Sequence, residues 1–409
     1  MRLSIWKVSK TLRIAFVGGF AWQPKATLKA RAFPLAVELV NKGHEVAMFL
    51  VPYDNPAESG KKRELEGVRI VNVEVGSRPG LRHVPLLTTR LCRAISRYSP
   101  DVTHVFKPKG YAAAACTWLL MKGCRAVALD SDDWEGWGGF NDQSDYPWAV
   151  KEYIDRHEKW LMRRTPVVTL ASRTLEQRAI ELRGSSKGVF YLPNGGVSRE
   201  EALTRERILS STVNGGKQSF GLPAAPVIFY NGHFNADEDA MFFCRASAPV
   251  ARRTGSTLVF VGEGPEIPRL REFFAQQEGV AVRFFPRLPY EEFVRLIAVS
   301  DITAFPYPDN PIHRSKCSIR VTDYMSAGKP VLTSAVGQNK DYIVDGESGV
   351  LAPPGDEVKF GEALEKLVYD PDLRARLGRN AKQRMKEKFS WSGALVDHCL
   401  TAYQQLSES

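Results

Sequence analysis

The 409-residue sequence lacks the signatures of several large protein classes. It has no run of about 18 apolar residues, so no transmembrane helix is expected. The motifs G-x-x-x-x-G-K-[ST], H-E-x-x-H and G-x-S-x-G do not occur, which argues against P-loop, zincin and serine-hydrolase sites. Gly262-Glu-Gly264-Pro265 lacks the third glycine of a G-x-G-x-x-G motif, so a dinucleotide-dependent dehydrogenase is not supported.

Cysteine is sparse and scattered. The six cysteines lie far apart and form no C-x-x-C pair. This pattern indicates reduced thiols in a cytoplasmic protein and argues against a disulfide framework or a zinc site. The start of the chain, Met1–Leu12, is basic but has no long apolar stretch or small-residue cleavage site. We interpret it as a non-secretory extension.

Acidic residues are scarce in the first half of the chain. Residues 1–195 carry 30 Lys and Arg against 19 Asp and Glu, whereas the remainder carries 26 against 27. Val75–Pro100 has five arginines and no carboxylate, with apolar residues at helical spacing beneath them. Such a segment fits docking on an anionic membrane surface, peripheral at the inner face. The alternative is a solvated helix whose apolar stripe lies in the core. We expect no nucleic-acid partner.

Strand and helix patterns alternate along both halves of the chain, which predicts an α/β fold with parallel sheets. Ligand crevices are expected at the carboxyl ends of such strands. Polar and Gly/Pro-punctuated residues between the halves indicate a linker. The predicted organisation is an extension (1–12), an N-terminal domain (13–197), a linker (198–225), a C-terminal domain (226–390) and a C-terminal helix (391–409).

Residues 315–356 form the most informative segment. Ser318 stands where a helix N-cap is expected, and the helix carries Asp323 and ends at Gly328. A buried strand is predicted to begin at Val331. The free N–H groups at the helix start, with basic side chains beside them, predict an anion site suited to a pyrophosphate. The residues of this site are Lys316, Ile319 and Arg320.

This segment resembles the nucleotide-sugar-binding segment of GT-B glycosyltransferases, in particular glycosyltransferase family 4. There, an acid-Tyr-Met-Ala-x-Gly-x-Pro-Val helix precedes a Gly-rich turn and a Pro-Pro-Gly-Asp loop. Further similar marks are Gly43–Val46, Pro100–Val105, Pro193–Gly195 and Val261–Pro265. The resemblance implies two Rossmann-like, doubly wound domains facing a central cleft.

The same resemblance implies an activity. The expected reaction is the transfer of a hexosyl group, with retained anomeric configuration, from a UDP- or GDP-sugar to a glycan or lipid-linked acceptor. The sugar nucleotide is a co-substrate, and neither a metal nor another cofactor is expected. The donor is expected on the C-terminal domain and the acceptor on the N-terminal domain.

Roles of individual residues in donor binding also follow from the resemblance. Asp323 would hold the ribose hydroxyls, although the family usually has glutamate there. The first acid of the family's E-x7-E pair falls on Ser315, and His233 stands where the family has arginine. The missing positive charge would come from another basic residue near the departing diphosphate. The predicted donor-binding residues are Gly18, Gly19, Arg287, Ser315, Ser318, Ile319, Arg320 and Asp323, and His233 and Lys316 are predicted to be catalytic.

Two tryptophans and four acids cluster in the segment Asp130–Gly139, where relatives often have a histidine. Indole faces suit stacking on a sugar ring, and carboxylates suit its hydroxyls. We predict that Asp132 is catalytic and that the acceptor contacts Asp130, Asp133, Trp134 and Trp137. The alternatives are a magnesium site and a structural loop with packed tryptophans.

Two other functions stay open at this point. A GT-B nucleotide-sugar epimerase would convert a donor into its isomer without an acceptor. A catalytically inactive carbohydrate- or lipid-binding relative is suggested by Ser315 and by the lack of the family's Arg/Lys pair.

Overall fold

The computed structural model describes residues 11–22, 27–76, 83–210, 216–235 and 239–407. The chain divides into two compact units. The first unit comprises Met1–Asn194 and Trp391–Ser409, and the second comprises Gly195–Ser390. Most of the predicted extension Met1–Leu12 lies outside the described residues, as do Arg78 and Arg82 of the basic segment.

The first unit is built on an eight-stranded sheet with the order β3-β4-β2-β1-β5-β6-β7-β8. All neighbours are parallel except the edge pair β3–β4, which is antiparallel. The strands are β1 (Arg13–Gly18), β2 (Glu45–Leu50), β3 (Lys62–Leu65), β4 (Val68–Asn72), β5 (Val102–Phe106), β6 (Val127–Ser131), β7 (Val167–Leu170) and β8 (Val189–Tyr191).

Helices cover both faces of this sheet, which is why its central strands are apolar almost without interruption. Ala15 and Val17 of β1 belong to one core cluster, and Ile14 and Phe16 to the other. The helices are α1 (Phe33–Asn41), α2 (Val84–Tyr98), α3 (Gly110–Met121), α4 (Phe140–Gln143), α5 (Trp148–Arg164) and α6 (Arg173–Arg183).

Helix α2 contains most of the described part of the basic segment. Leu87, Leu91, Ile95 and Tyr98 are buried in the core of the first unit. The apolar stripe is therefore accounted for by packing, and only the arginine face of α2 remains for an external partner.

The second unit has a six-stranded, fully parallel sheet with the order β11-β10-β9-β12-β13-β14. Its strands are β9 (Val227–His233), β10 (Thr257–Glu263), β11 (Ala281–Phe285), β12 (Ile302–Phe305), β13 (Val331–Ser334) and β14 (Val350–Ala352). Its helices are α7 (Arg199–Ser210), α8 (Asp239–Thr254), α9 (Ile267–Ala275), α10 (Tyr290–Val299), α11 (Pro311–Ser315), α12 (Ile319–Ser326), α13 (Asn339–Tyr342), α14 (Glu357–Tyr369) and α15 (Pro371–Lys388).

The stretch predicted as a linker is more ordered than its composition indicates. Helix α7 and a 3₁₀ turn at Gly216–Phe220 occupy much of it. The sequence did not predict helix α7, because eight of its twelve residues are polar and no apolar stripe is apparent.

The last helix, α16 (Val396–Ser407), belongs to the first unit. Its Tyr403 and Leu406 join the core cluster that contains α1. The Tyr403 hydroxyl lies 2.8 Å from Nδ1 of the buried His104, whose Nε2 lies 3.0 Å from Thr169 Oγ1. His104 is thus a core residue, and burial lowers its pKa to about 3.

Each sheet reverses its winding direction once. In the first sheet the reversal lies between β1 and β5, and in the second between β9 and β12. In doubly wound folds, ligands bind outside the carboxyl ends of the strands at such a point. Each of the two confirmed Rossmann-like α/β domains therefore has one pair of strand ends at which a ligand is expected.

Candidate active site

In the second unit, the helix start predicted to bind anions has the expected local structure. Helix α12 begins at Ile319, and the Ser318 hydroxyl caps it by accepting the N–H of Val321 at 3.5 Å. An α-helix leaves its first N–H groups without an intrahelical acceptor, so those of Ile319 and Arg320 face outward. Lys316, half-buried, lies two residues before the cap. This end of α12 therefore combines free N–H groups, a dipole and two cations.

Arg320 lies at the reversal point of the second sheet. Its Nη1 donates to the Asn231 carbonyl at 3.1 Å, and its guanidinium carbon lies 3.5 Å from the centroid of the Phe305 ring. Those two residues stand on β9 and β12, the strands between which the winding reverses. Arg320 thus brings a cation to the end of β9, where the family arginine is missing from the sequence.

Gly232 makes this position of Arg320 accessible. A Cβ built on Gly232 would lie only 2.7 Å from Arg320 Nη1. A larger residue here would displace the guanidinium, so the glycine and the arginine form one arrangement.

His233 ends β9 and is exposed. Its Nδ1 lies 2.9 Å from the carbonyl oxygen of Glu263 on β10. Because a carbonyl only accepts, Nδ1 is the donor in this hydrogen bond, and Nε2 is the ring nitrogen available to a ligand. His233 is therefore not a histidine of the core.

Asp323 lies on α12 with about a quarter of its side chain exposed. Its Oδ1 accepts a hydrogen bond from Arg205 Nη2 of α7 at 2.9 Å. Burial raises the pKa of Asp323 to about 6, while the Arg205 charge acts in the opposite direction. Arg205 is itself held by Glu201 at 2.9 Å and by the Tyr290 hydroxyl at 3.1 Å.

Two predicted donor contacts are placed differently from the expectation. Ser315 is fully buried, and its hydroxyl donates to the Ile312 carbonyl at 2.9 Å, so it does not face a ligand. Arg287 is exposed and follows the edge strand β11, which β10 separates from β9.

In the first unit, the glycines after β1 are explained by packing. A Cβ on Gly18 would lie 2.9 Å from the side chains of Leu28 and Leu50. One on Gly19 would lie 2.8 Å from the backbone nitrogen of Ala112 in α3. Packing within the first unit thus accounts for both glycines, and their contact with the donor stays a prediction.

Asp130 is the penultimate residue of β6 and is completely buried. It accepts from Arg31 Nε at 2.8 Å and from Arg31 Nη2 at 2.6 Å, and Thr169 donates to it at 2.6 Å. Arg31 also donates to Asn194 Oδ1 at 3.1 Å. The prediction of an acceptor contact for Asp130 is therefore wrong. Through these hydrogen bonds, Asp130 holds the carboxyl ends of the strands together inside the core.

Two lysines that follow β5 form ion pairs with the other acids of the segment Asp130–Gly139. Lys107 Nζ lies 3.3 Å from Asp132, 2.6 Å from Asp133 and 3.3 Å from Glu135. Lys109 Nζ lies 2.8 Å from Glu135. We call these five residues the lysine–carboxylate cluster.

The cluster sits at the reversal point of the first sheet, directly after β5. Lys107 has φ of +75°, a conformation that costs about 1–3 kcal/mol in a residue with a side chain and that is concentrated at functional sites. Burial alone would lower the pKa of Lys107, but the three carboxylates outweigh it and raise that pKa well above its usual value.

The acids of the cluster respond differently to this environment. Burial opposes ionisation of Asp132, yet Lys107 and Arg31 overcome it and lower its pKa. Asp132 also accepts from the Thr27 hydroxyl at 2.9 Å. Burial raises the pKa of Asp133, and the neighbouring acids add to that effect against Lys107. Asp132 is thus held as a fixed negative charge.

The two tryptophans are packed within their own unit. Trp134 lies 4.1 Å from the Arg178 guanidinium, and a Cβ on Gly138 would lie 3.0 Å from its ring. Trp137 is half-buried, and its Nε1 donates to Glu152 at 3.0 Å. Sugar stacking on Trp134 is therefore corrected to a packing role, as the structural alternative predicted.

Sequence reasoning missed Lys107, Lys109, Arg31 and Arg205. A usable signal existed for the lysines, since Lys107-Pro-Lys109 directly follows a predicted strand beside the acidic segment. The arginines stand on helices distant in sequence from their partners and gave no such signal.

In the part of the chain that the structure covers, no group of His, Cys, Asp or Glu side chains is arranged to hold a metal ion. No helix within the described ranges is both long enough and apolar enough to span a bilayer.

Comparison with known families yields a match on each half of the chain. Residues 28–195 match the glycosyl transferase 4-like domain, and residues 225–370 match the family described as glycosyl transferases group 1. The alpha-D-kanosaminyltransferase of Streptomyces kanamyceticus is 24% identical over 260 residues, which cover 61% of this chain and 65% of that protein. The alignments with three such relatives span about 55 to 65% of the relatives' length.

Solved structures share the fold over nearly the whole chain. Sucrose-phosphate synthase from Thermosynechococcus elongatus is similar with a TM-score of 0.69 and 18% identity, covering 97% of this chain and 99% of that one. Anabaena HepE, solved in complex with UDP-glucose, has a TM-score of 0.61 and 15% identity, covering 97% and 98%. At these identities the likeness shows the fold.

Proposed function

Since the chain belongs to the group 1 glycosyltransferases and has the GT-B fold, we propose that it transfers a hexosyl group from a nucleoside-diphosphate sugar to a glycan or lipid-linked acceptor. The observation that carries this proposal is the position of Arg320. It supplies a cation at the reversal point of the second sheet, beside a capped helix start. A departing diphosphate needs such compensating charge.

The donor binds the second unit. Its diphosphate lies against the first N–H groups of α12, with Lys316 and Arg320 as counter-charges. The ribose hydroxyls bond to Asp323, whose Oδ1 is engaged by Arg205 while part of the side chain stays exposed. UDP is favoured over GDP as the carrier because a structural relative was solved with UDP-glucose.

Four residues serve the transfer step. Lys316 and Arg320 neutralise the leaving diphosphate, and His233 acts beside them from the end of β9, where the Glu263 carbonyl holds its Nδ1. Asp132 provides a permanent negative charge, suited to a sugar whose anomeric carbon becomes positive during transfer. The reaction retains anomeric configuration, and no metal is required because side-chain cations supply the positive charge.

The acceptor binds the first unit, at the solvent-facing side of the lysine–carboxylate cluster. Asp133 and Trp137, which are both half-buried, are the residues that contact the acceptor in this proposal. The enzyme works in the cytoplasm, peripheral at the inner face of the membrane, where the arginine face of α2 meets anionic lipid. Each such arginine adds about 1 kcal/mol near an anionic surface.

A ligand screen tests the donor. Thermal unfolding is measured with UDP, GDP, ADP and their sugars, since a ligand at 100 times its dissociation constant adds about 2.7 kcal/mol of stability. We expect stabilisation by a uridine or guanosine diphosphate sugar. No stabilisation by any nucleotide would contradict the proposal.

Product analysis separates the remaining functions. Incubation of the identified donor without acceptor distinguishes an epimerase, which would form an isomeric sugar nucleotide, from a transferase, which would not. With acceptor present, proton NMR of the new glycosidic bond reports whether configuration is retained. Neither hydrolysis nor transfer above background would indicate an inactive binding protein.

A further inference from the structure

A second concentration of positive charge lies in the first unit, away from the strand ends. An open groove of about 700 Å³ runs between the edge of the sheet and helix α2. Six cations line this groove, which we call the basic groove: Arg13, Lys62, Arg69, Arg90, Arg93 and Arg97.

The geometry of two elements places these cations on opposite walls. Arg69, Val71 and Val73 alternate along β4 and its end, so they face the same side of the sheet. Arg90, Arg93 and Arg97 recur along α2 at intervals of three and four residues, which is one face of a helix. The sheet wall from Arg69 to Val73 is about 13 Å long at 3.3 Å per residue.

The acids nearby do not neutralise the groove. Glu45 pairs with Arg13 at 3.2 Å, and Glu74 offers its backbone carbonyl, which accepts from Arg90 at 2.6 Å. Glu64 is the register partner of Arg69 on β3. Within the described residues, no carboxylate lies within ion-pair distance of Arg69, Arg93, Arg97 or Lys62.

The floor of the groove is apolar and aromatic. Phe49, Val71 and Ala94 line it together with Tyr98, over which the Arg13 guanidinium lies at 4.6 Å. Concentrated like charges repel one another and favour a bound counter-anion. Five of the six cations are arginines, whose planar guanidinium matches phosphate geometry with two parallel hydrogen bonds.

We propose that the basic groove is a binding site for a phosphate-bearing ligand, separate from the nucleotide-sugar site of the second unit. The phosphate groups engage the arginines of both walls, and an apolar or ring-shaped part of the ligand packs on the floor. A lipid headgroup and a soluble phosphorylated molecule share this chemistry. The proposal is independent of the donor site, because no groove residue takes part in it.

The test measures binding of two probes to the full-length protein. Inorganic pyrophosphate represents a soluble ligand and is titrated by calorimetry. Phosphatidylcholine vesicles with and without 20% phosphatidic acid represent a lipid headgroup and are used in sedimentation. Amide hydrogen exchange of residues 68–76 and 84–98 reports whether the bound probe occupies the groove.

The decisive variant is Lys62→Gln/Arg69→Gln/Arg97→Gln, which removes exposed cations from both walls. We expect at least tenfold weaker binding of whichever probe binds, and loss of its exchange protection at the groove. Binding should also weaken with salt, because the Debye length falls from about 10 Å at 0.1 M to 3 Å at 1 M.

A matched variant, Lys122→Gln/Arg164→Gln/Lys187→Gln, removes three exposed cations of the same unit outside the groove. It should bind the probes as the native protein does. Preference for pyrophosphate identifies a soluble ligand, and preference for acidic vesicles identifies a headgroup. Equal loss in both triple variants, protection elsewhere only, or no binding of either probe overturns the proposal. Nucleotide-sugar binding, measured in parallel, stays unchanged in both variants.

Discussion

The reversal points of the two sheets hold their charges in opposite ways. In the first unit, Lys107 and Lys109 form ion pairs with the acids that follow β6, and the buried Asp130 is paired with Arg31. In the second unit, Arg320 bonds only to a backbone carbonyl and His233 to another. One site is neutralised by the protein itself, and the other keeps cationic charge for a ligand.

The difference shows why acidic residues in a sequence are poor guides to ligand contacts. A buried carboxylate costs several kcal/mol unless it is paired, so a cluster of acids at a strand end requires cations from elsewhere in the chain. Lys316 and Arg320 of the second unit are only half-buried, so their charges have a weaker requirement for a partner. Four residues provide tests of this difference between the two units.

The largest expected effect comes from Arg31. Arg31→Met leaves Asp130 buried without its partner, which should lower the free energy of unfolding by about 3–5 kcal/mol. Urea denaturation measures the change. Arg156→Gln removes one partner of an exposed pair and should cost less than about 1 kcal/mol. If both variants lose the same small amount, the first unit does not depend on internal neutralisation.

Asp132 tests whether the neutralised site also serves the reaction. Asp132→Asn keeps shape and removes the fixed charge, so turnover should fall about a hundredfold, the low end for groups acting at a reacting centre. Donor affinity, measured separately by calorimetry, should change little. Asp142→Asn on α4 is the control, and its turnover should match the native enzyme. Native turnover in Asp132→Asn would assign the whole cluster to structure.

Arg320 tests the opposite claim for the second unit. Arg320→Gln should weaken nucleotide-sugar binding by about 1.5–3 kcal/mol, the range for hydrogen bonds to charged groups. Arg287→Gln, on the edge of the same sheet, should leave affinity unchanged. Should Arg287 prove the sensitive residue, the missing family cation is replaced from β11 and not from α12.

Much of the architecture was predictable from the sequence. The alternating patterns predicted two α/β halves, Val331 correctly marked the start of β13, and Ser318 correctly predicted the start of α12. Local patterns succeed here because a parallel strand covered on both faces must be apolar, and because a cap is set by one side chain and the backbone beside it.

The failures have a common cause. Whether Asp130 faces a ligand depends on a partner distant in sequence, Arg31, which donates to Asp130 from 99 residues away. Helix α7 was missed because its stability comes from contacts such as Arg205 with Tyr290 and Asp323, not from an apolar stripe of its own. Spacing within one segment carries no information on such pairs.

Asp323 gives the smallest effect and the sharpest test of the second unit. In the proposed complex the ionised carboxylate accepts from the ribose hydroxyls more strongly than the protonated acid does, and burial raises its pKa to about 6. Donor affinity should therefore be constant above pH 7 and should fall with protonation below pH 6, by at most tenfold, or about 1.4 kcal/mol, per pH unit. Arg205 opposes the shift, so Arg205→Gln should move the midpoint to higher pH. Asp323→Asn should bind weakly at every pH without this transition.

Calorimetry with the ribonucleotide and its 2′,3′-dideoxy analogue completes the test of Asp323, since the analogue should show no pH dependence in this window. A native enzyme that binds both equally between pH 5 and 8 would exclude a ribose contact and leave Asp323 as the anchor of α7 alone.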